Sequence, residues 1–292
     1  YELKNYNQDL YQGKLYAEEL CVAQNDVALE GYTEDTELHS AALFDLTGER
    51  VLYSYKAHER LYPASTTKIM TALLAIENAN LDDQVTISGN ADASSFPADA
   101  QVCGLAKGEV WTLRDLLGAL LLYSGNDAAT AIAEYVGGSE EAFVNMMNRR
   151  AQELMANGTH FMNPHGLHDD NHYTTAYDLY LIFNECIKHE DFVNIIQSEA
   201  YTAYYTDVDG NSQEALFTPT NLYAQGAVNV PENVTIVGGK TGTTDEAGYC
   251  LILMEKDSSD NPYISIVMGA SEKPVLYEDM TSLIEAIPSG QQ

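Results

Sequence analysis

Ser65-Thr66-Thr67-Lys68 is a stretch whose residue types and spacing could do covalent chemistry. It follows Pro63-Ala64 and opens the apolar run Ile69-Met70-Thr71-Ala72-Leu73-Leu74-Ala75-Ile76, which reads as a helix. With Ser65 in its first turn, Lys68 three residues later projects from the same face, and a hydroxyl and an amine become neighbours. A serine beside an amine that can take its proton is an activated nucleophile, able to attack a carbonyl and form an acyl intermediate. A helix-capping Ser65 and a solvated Lys68 would produce the same spacing, so the context must decide.

Two further stretches supply that context. Ser124-Gly125-Asn126 lies between two expected helices, and Lys240-Thr241-Gly242 lies at the end of a β-branched run. Singly, the first is most often a turn and the second the end of an edge strand. In this order, each on the kind of element the chemistry needs, they form a strong joint signal.

The elements that would carry them follow from local patterns. Ser40–Asp45 and Val51–Tyr55 flank a glycine-containing turn and predict a β-hairpin leading into the Ser65 helix. Val85–Ile87 is a short apolar stretch, followed by a small-residue loop from Ser88 to Cys103. Thr112-Leu113-Arg114-Asp115 has the form of a capping box ahead of a leucine-rich helix that stops at Ser124. Asp127 to Val136 is a second helix closed by Gly137-Gly138, and Ser139 caps a third. Thr175 caps another, Asp191 to Gln197 is a short helix, and Tyr201–Thr206 before Asp209-Gly210 signals a second hairpin. Val234–Val237 is a β-branched run ending at Gly238-Gly239-Lys240-Thr241-Gly242, Tyr249–Met254 and Tyr263–Met268 form a last hairpin, and Val275 to Ile287 is a closing helix. A short helix is expected near Leu15 to Val22. Strands at both ends and helices between them predict an α/β protein of the α+β kind, with one antiparallel sheet covered by helices. Residues 1–35 read as an N-terminal extension and 36–292 as one domain.

Composition narrows the function. The 14 Lys and Arg against 44 Asp and Glu give a formal charge of −30 in 292 residues, which argues against nucleic acid as a partner and against an anionic membrane surface. Cys21, Cys103, Cys186 and Cys250 form no Cys-x-x-Cys pair, and no stretch is long and apolar enough to span a bilayer. A start at Tyr1 without a leader reads as a processed soluble portion.

The three motifs and their flanks resemble the low-molecular-mass penicillin-binding proteins, the serine-type D-alanyl-D-alanine carboxypeptidases. The flanks are Pro63 to Thr71, Tyr123 to Ala128, His165-Gly166-Leu167, Tyr173 to Asp178 and Gly239 to Thr244. The resemblance implies a β-lactamase/penicillin-binding transpeptidase-like fold, a five-stranded antiparallel sheet against a helical cluster with the site between them. It implies that Ser65 attacks the carbonyl between two D-alanines at the end of a peptidoglycan stem peptide, releasing the last D-alanine and leaving an acyl-enzyme that water hydrolyses. Lys68 would take the proton. A lysine near pKa 10.4 is a poor base at neutral pH, so it must be desolvated and crowded by a cation, with Lys240 the candidate. Ser124 would relay a proton to the leaving amine, Asn126 would hold the substrate amide, and Lys240 and Thr241 would bind the terminal carboxylate. The backbone N–H groups of Ser65 and Thr243 would form the oxyanion hole, where one donor is worth on the order of 3 kcal/mol. Gly242 would let the substrate backbone approach the strand.

β-Lactam antibiotics, which mimic the D-alanyl-D-alanine end, are implied as covalent inhibitors at Ser65. No cofactor is implied. A class A-like β-lactamase is the first rival, but the corresponding segment, Asn157 to Asn171, has no glutamate to drive deacylation. A non-catalytic β-lactam or cell-wall binding protein is the second. His165, His168, Asp169, Asp170 and His172 are metal-ligating types, as a zinc peptidase would need, yet their spacing fits no familiar zinc motif and no metal is expected. Two departures from the pattern stand out: no arginine follows Arg150, and too few residues follow Ala270 for the family's C-terminal domain or membrane anchor. The expected location is extracytoplasmic.

Overall fold

The structure, a computed structural model, describes residues 19–29 and 39–288. Its main sheet has the order β2 (Arg50–Tyr55), β1 (Ser40–Asp45), β9 (Pro262–Ala270), β8 (Gly248–Asp257), β7 (Val234–Thr244), antiparallel throughout. The expected first hairpin is present as β1 (Ser40–Asp45) and β2 (Arg50–Tyr55). Asp45 stabilises its turn, accepting from Gly48 N at 2.8 Å and from Arg50 at 2.6 Å. β8 (Gly248–Asp257) and β9 (Pro262–Ala270) form the last hairpin, and β9 pairs with β1, so strands from the two ends of the domain meet at the sheet centre.

Both faces of this sheet are covered, which explains why its central strands read as unbroken apolar runs. Successive side chains alternate between faces. Leu251 and Leu253 pack with Leu43 and Val267 against Met280, Leu283 and Ile284 of α7 (Lys273–Glu285). Ile252 and Met254 join Phe44, Ile264 and Ile266 in the larger cluster beneath the helices.

The helices form where local signals place them. α1 (Lys68–Asn78) is buried along eight residues and runs through the middle of the cluster. Thr112 caps α2 (Leu113–Gly118), Ser139 caps α4 (Glu140–Glu153) and Thr175 caps α5 (Ala176–Cys186), each accepting from the backbone N–H three residues on. α3 (Asn126–Gly137) and α6 (Glu190–Ile196) complete the cluster.

The structure corrects three expectations. There is a second sheet, with the order β3 (Gln84–Thr86), β4 (Val110–Thr112), β5 (Tyr201–Thr206) and β6 (Ser212–Phe217). Two of its strands are three residues long, too short for a period-2 signal, and Trp111 stacks on Tyr205 at 4.3 Å across it. Ser65 sits in a 3-10 turn (Ala64–Thr67) ahead of α1 rather than in an α-helical first turn, and Ala64 has φ +48°. Lys240-Thr241-Gly242 lies on a strand as expected, β7 (Val234–Thr244), which runs through it after a bulge between Ile236 and Gly238. Gly238 has φ +151°, and a Cβ there would lie 2.0 Å from the Ile196 carbonyl, so glycine lets the strand pass α6 rather than stopping it. Of the helix expected near Leu15 to Val22, residues 19–22 are turn and irregular chain and the rest lies outside the described residues.

Candidate active site

The leucine-rich helix continues from α2 into a π-helical turn, Ala119–Tyr123, which ends at Ser124 in the left-handed conformation, φ +71°. This conformation is costly for a residue with a side chain and is common at functional sites. It sets Ser124 between the 3-10 turn and β7. Gly242 lies where the strand crosses the turn: a Cβ there would sit 2.9 Å from Pro63 O and 3.0 Å from the Ser65 and Thr66 nitrogens. The Ser65 turn itself fills the space that a side chain at this position would need, so the fold alone calls for glycine here.

The three motifs come together at two lysines. Lys68, 0% exposed, has its Nζ within 2.8 Å of Ser65 Oγ, 2.7 Å of Asn126 Oδ1 and 2.6 Å of the His165 carbonyl. Lys240, 1% exposed, donates to Ser124 Oγ at 2.9 Å and to the Thr241 carbonyl at 2.8 Å. Every one of these partners is an uncharged oxygen. Burial, then the Lys240 charge, hold the Lys68 amine well below the usual lysine range, while burial pushes Lys240 down to about 7. A neutral Lys68 can accept the Ser65 proton across the 2.8 Å contact, with the hydroxyl then donating to nitrogen.

Ser65, Ser124, Asn126, Thr241, Gly242 and Thr243 line one cleft of about 880 Å3. Residues of the loop from Pro97 to Gln101 also line it, as do His168, Glu246 and Lys273. All eight residues singled out from the sequence therefore lie at or directly behind this cleft.

The histidine and aspartate cluster does not converge on one point. His165 and His172 are buried against the Ser65 turn and neutral at ordinary pH, held down to about 3 and about 4 by burial. His168 pairs at the rim with Asp170 at 3.3 Å, and Asp169 accepts from Asn171 N. Among the described residues, the group whose ligand atoms do cluster is Glu77, Glu185 and His189, and Arg150 already occupies both carboxylates, at 2.6 Å and 3.4 Å.

Residues 28–272 match the peptidase S11 family, described as D-alanyl-D-alanine carboxypeptidase. The chain belongs to this family. It is 34% identical over 256 residues to D-alanyl-D-alanine carboxypeptidase DacF of Bacillus subtilis, covering 85% of this chain and 61% of that protein. To DacC of Escherichia coli it is 31% identical over 249 residues, covering 83% of this chain and 59% of that protein. The chain thus spans about three fifths of the length of these curated relatives. The DD-transpeptidase of Streptomyces K15 has a similar structure, with a TM-score of 0.80, 28% identity, and coverage of 87% of this chain and 98% of that one. The five-stranded sheet with its helical cluster is the fold of these penicillin-binding peptidases.

In this family member several residues support the cleft without any local sequence signal. Asp127, fully buried, accepts from the backbone N–H groups of Cys103, Gly104, Leu105 and Ala128 at 2.9–3.0 Å, fixing the chain just after the cleft residues Pro97 to Gln101. His172 Nδ1 accepts from Met162 N at 3.1 Å, so the neutral ring carries its proton on Nε2 and donates to Thr67 Oγ1 at 2.8 Å. Thr220 Oγ1 lies 2.5 Å from Thr241 Oγ1. Apart from Ala128, each partner lies ten or more residues away along the chain, so local residue spacing carries no trace of it. The four cysteines are free thiols.

Proposed function

We propose that the protein is a serine-type D-alanyl-D-alanine carboxypeptidase that removes the terminal D-alanine from peptidoglycan stem peptides through an acyl-enzyme on Ser65. The observation that carries this reading is the buried Lys68 amine, 2.8 Å from Ser65 Oγ and with only uncharged oxygens as hydrogen-bond partners among the described residues. As Ser65 Oγ bonds to the carbonyl carbon, its proton passes to Lys68 Nζ. The Ser65 and Thr243 N–H groups receive the negative charge that develops on the carbonyl oxygen. The tetrahedral species collapses, the C–N bond breaks, and the leaving amine takes a proton through Ser124, which Lys240 contacts. Asn126 orients the substrate amide, and Lys240 and Thr241 hold the carboxylate. Water then attacks the ester with Lys68 again as base, freeing Ser65.

β-Lactams would acylate Ser65 and stay, because the segment from Asn157 to Asn171 offers Lys68 the His165 carbonyl and no glutamate. The site works without a metal or cofactor, on the outer side of the cytoplasmic membrane where its substrate lies. Residues 36–292 act as one peptidase domain with residues 1–35 as its extension. The likeness to a DD-transpeptidase favours a second fate for the acyl group, transfer to an amine instead of water.

The experiment is D-alanine release from a peptide ending in D-Ala-D-Ala, with intact mass after benzylpenicillin. One adduct mapping to Ser65, and D-alanine release lost in Ser65→Ala, are the expected results. Stable acylation with no D-alanine release would leave a β-lactam binding protein, and rapid loss of the adduct a β-lactamase. An acylated amine formed when glycine is added would establish the transfer.

A further inference from the structure

We infer that Thr220 is a specificity-determining residue, whose hydroxyl joins that of Thr241 to take up the terminal carboxylate of the substrate. This rests on the proposed carboxypeptidase reading and concerns how the same cleft selects a chain end. The need for such a residue comes from charge. No arginine follows Arg150, and Arg150 itself is spent on Glu77 and Glu185 among the helices. Lys240 Nζ, with Ser124 and the Thr241 carbonyl as partners, has one N–H left for a carboxylate that has two oxygens to satisfy, and Lys273 at the cleft is exposed and strongly hydrated.

Thr220 is held where it can fill that gap. Its backbone N–H donates to Leu122 O at 3.1 Å, tying it to the π-helical turn that ends at Ser124, and Gln225 fixes the preceding Pro219 carbonyl at 2.9 Å. Its hydroxyl meets Thr241 Oγ1 at 2.5 Å, and both residues line the cleft. Two hydroxyls in contact hold two protons and use one between them. The other remains a donor, strengthened because its own oxygen accepts from the neighbour. A carboxylate, which only accepts, satisfies that donor beside the Lys240 charge, whereas an amide or ester presents fewer acceptor sites and no charge.

The test compares second-order acylation of Ser65 by benzylpenicillin and by its methyl ester, read by intact mass, in wild type, Thr220→Val and Thr220→Ser. A hydrogen bond to a charged group sets the scale, so Thr220→Val should lower the acid-to-ester rate ratio by roughly tenfold to a hundredfold. Thr220→Ser, which keeps the hydroxyl, should hold the ratio near that of wild type. The inference is overturned if Thr220→Val slows acid and ester in step, if it changes neither, if wild type does not prefer the acid, or if Lys273→Gln alone removes the preference. Because acylation is read without peptide turnover, failure to release D-alanine would count against the carboxypeptidase reading and leave this result standing. A parallel loss of discrimination between D-Ala-D-Ala peptides with free and amidated termini is expected where turnover is seen.

Discussion

His172 Nε2 donates to Thr67 Oγ1 across 2.8 Å, joining a buried imidazole to the turn that carries Ser65 and Lys68. The ring is neutral in the fold because burial disfavours its charge, and its Nδ1 is already occupied by Met162 N. Protonating Nδ1 would set two donors against each other. His172→Asn keeps an acceptor near the Nδ1 position but cannot reach Thr67. We expect Ser65 acylation by penicillin to fall about tenfold while the circular dichroism spectrum stays that of wild type, the loss being one buried hydrogen bond. An unchanged acylation rate would show that Thr67 needs no such tie.

Both His172 and His165 also make stability depend on pH. Unfolded, each imidazole binds a proton below about 6.5. Folded, His172 resists protonation down to about 4 and His165 down to about 3. Above pH 6.5 both states are neutral and there is no effect. As pH falls from 6.5 to 4 the unfolded chain binds more protons, so stability is lost, by about 3 kcal/mol for His172 at the acid end. Urea unfolding at pH 7, 5.5 and 4.5 should show the advantage of wild type over His172→Asn shrinking as pH falls. Parallel stability curves for the two proteins would contradict this.

Activity should have a descending limb set by Lys240. Its pKa of about 7 means that the free protein loses this charge as pH rises through neutrality, and with it the attraction for a terminal carboxylate. Lys68, held well below the usual lysine range, supplies the neutral base on the ascending side. The two interact, so the limbs belong to the pair. The profile of kcat/KM for D-alanine release should therefore bend downward near pH 7. A value still rising at pH 9 would mean that Lys240 stays charged in the cleft.

Much of this arrangement is readable from local chemistry. The caps at Thr112, Ser139 and Thr175 each bond a backbone N–H three residues away, so the pattern and its partner fall within one short window. The terminal hairpins likewise announce themselves, because their turns are short and their strands apolar on both faces. What escapes is set by distant partners. The second sheet joins residues near 85 and 111 to residues 201–217, and its shortest strands borrow their order from Trp111 stacked on Tyr205. Gly238 and Gly239 read as loop-forming glycines, although Gly238 is where β7 passes α6 and Gly239 is where it lies close against the β8 backbone. His172 has metal-ligand chemistry in sequence and a hydrogen-bonding partner in the fold, and Thr220 sits in a loop with no pattern at all.

Gly242 offers a steric test. The three atoms nearest an added Cβ are all backbone, Pro63 O and the Ser65 and Thr66 nitrogens, which have no rotamer to escape into. Gly242→Ala should push β7 away from the Ser65 turn and slow penicillin acylation more than a hundredfold, at a stability cost of about 1–3 kcal/mol typical of overpacking. A variant that acylates at the wild-type rate would mean that the turn and the strand are free to separate.

Asp127 links the cleft wall to the charge state of Lys68. Its two oxygens receive four backbone N–H groups, and it is among the groups that raise the Lys68 pKa against the larger opposing effects of burial and Lys240. Asp127→Asn keeps the size but replaces one acceptor oxygen with an NH2 facing N–H donors. Unfolding should become easier by about 2–4 kcal/mol, since buried donors lose a charged acceptor. Removing the anion also lowers the Lys68 pKa further, because the charged amine loses a favourable neighbour. In protein that remains folded, the ascending limb of penicillin acylation should move to lower pH. A limb that moves to higher pH would mean that Asp127 acts on Lys68 through the loop geometry and not through its charge.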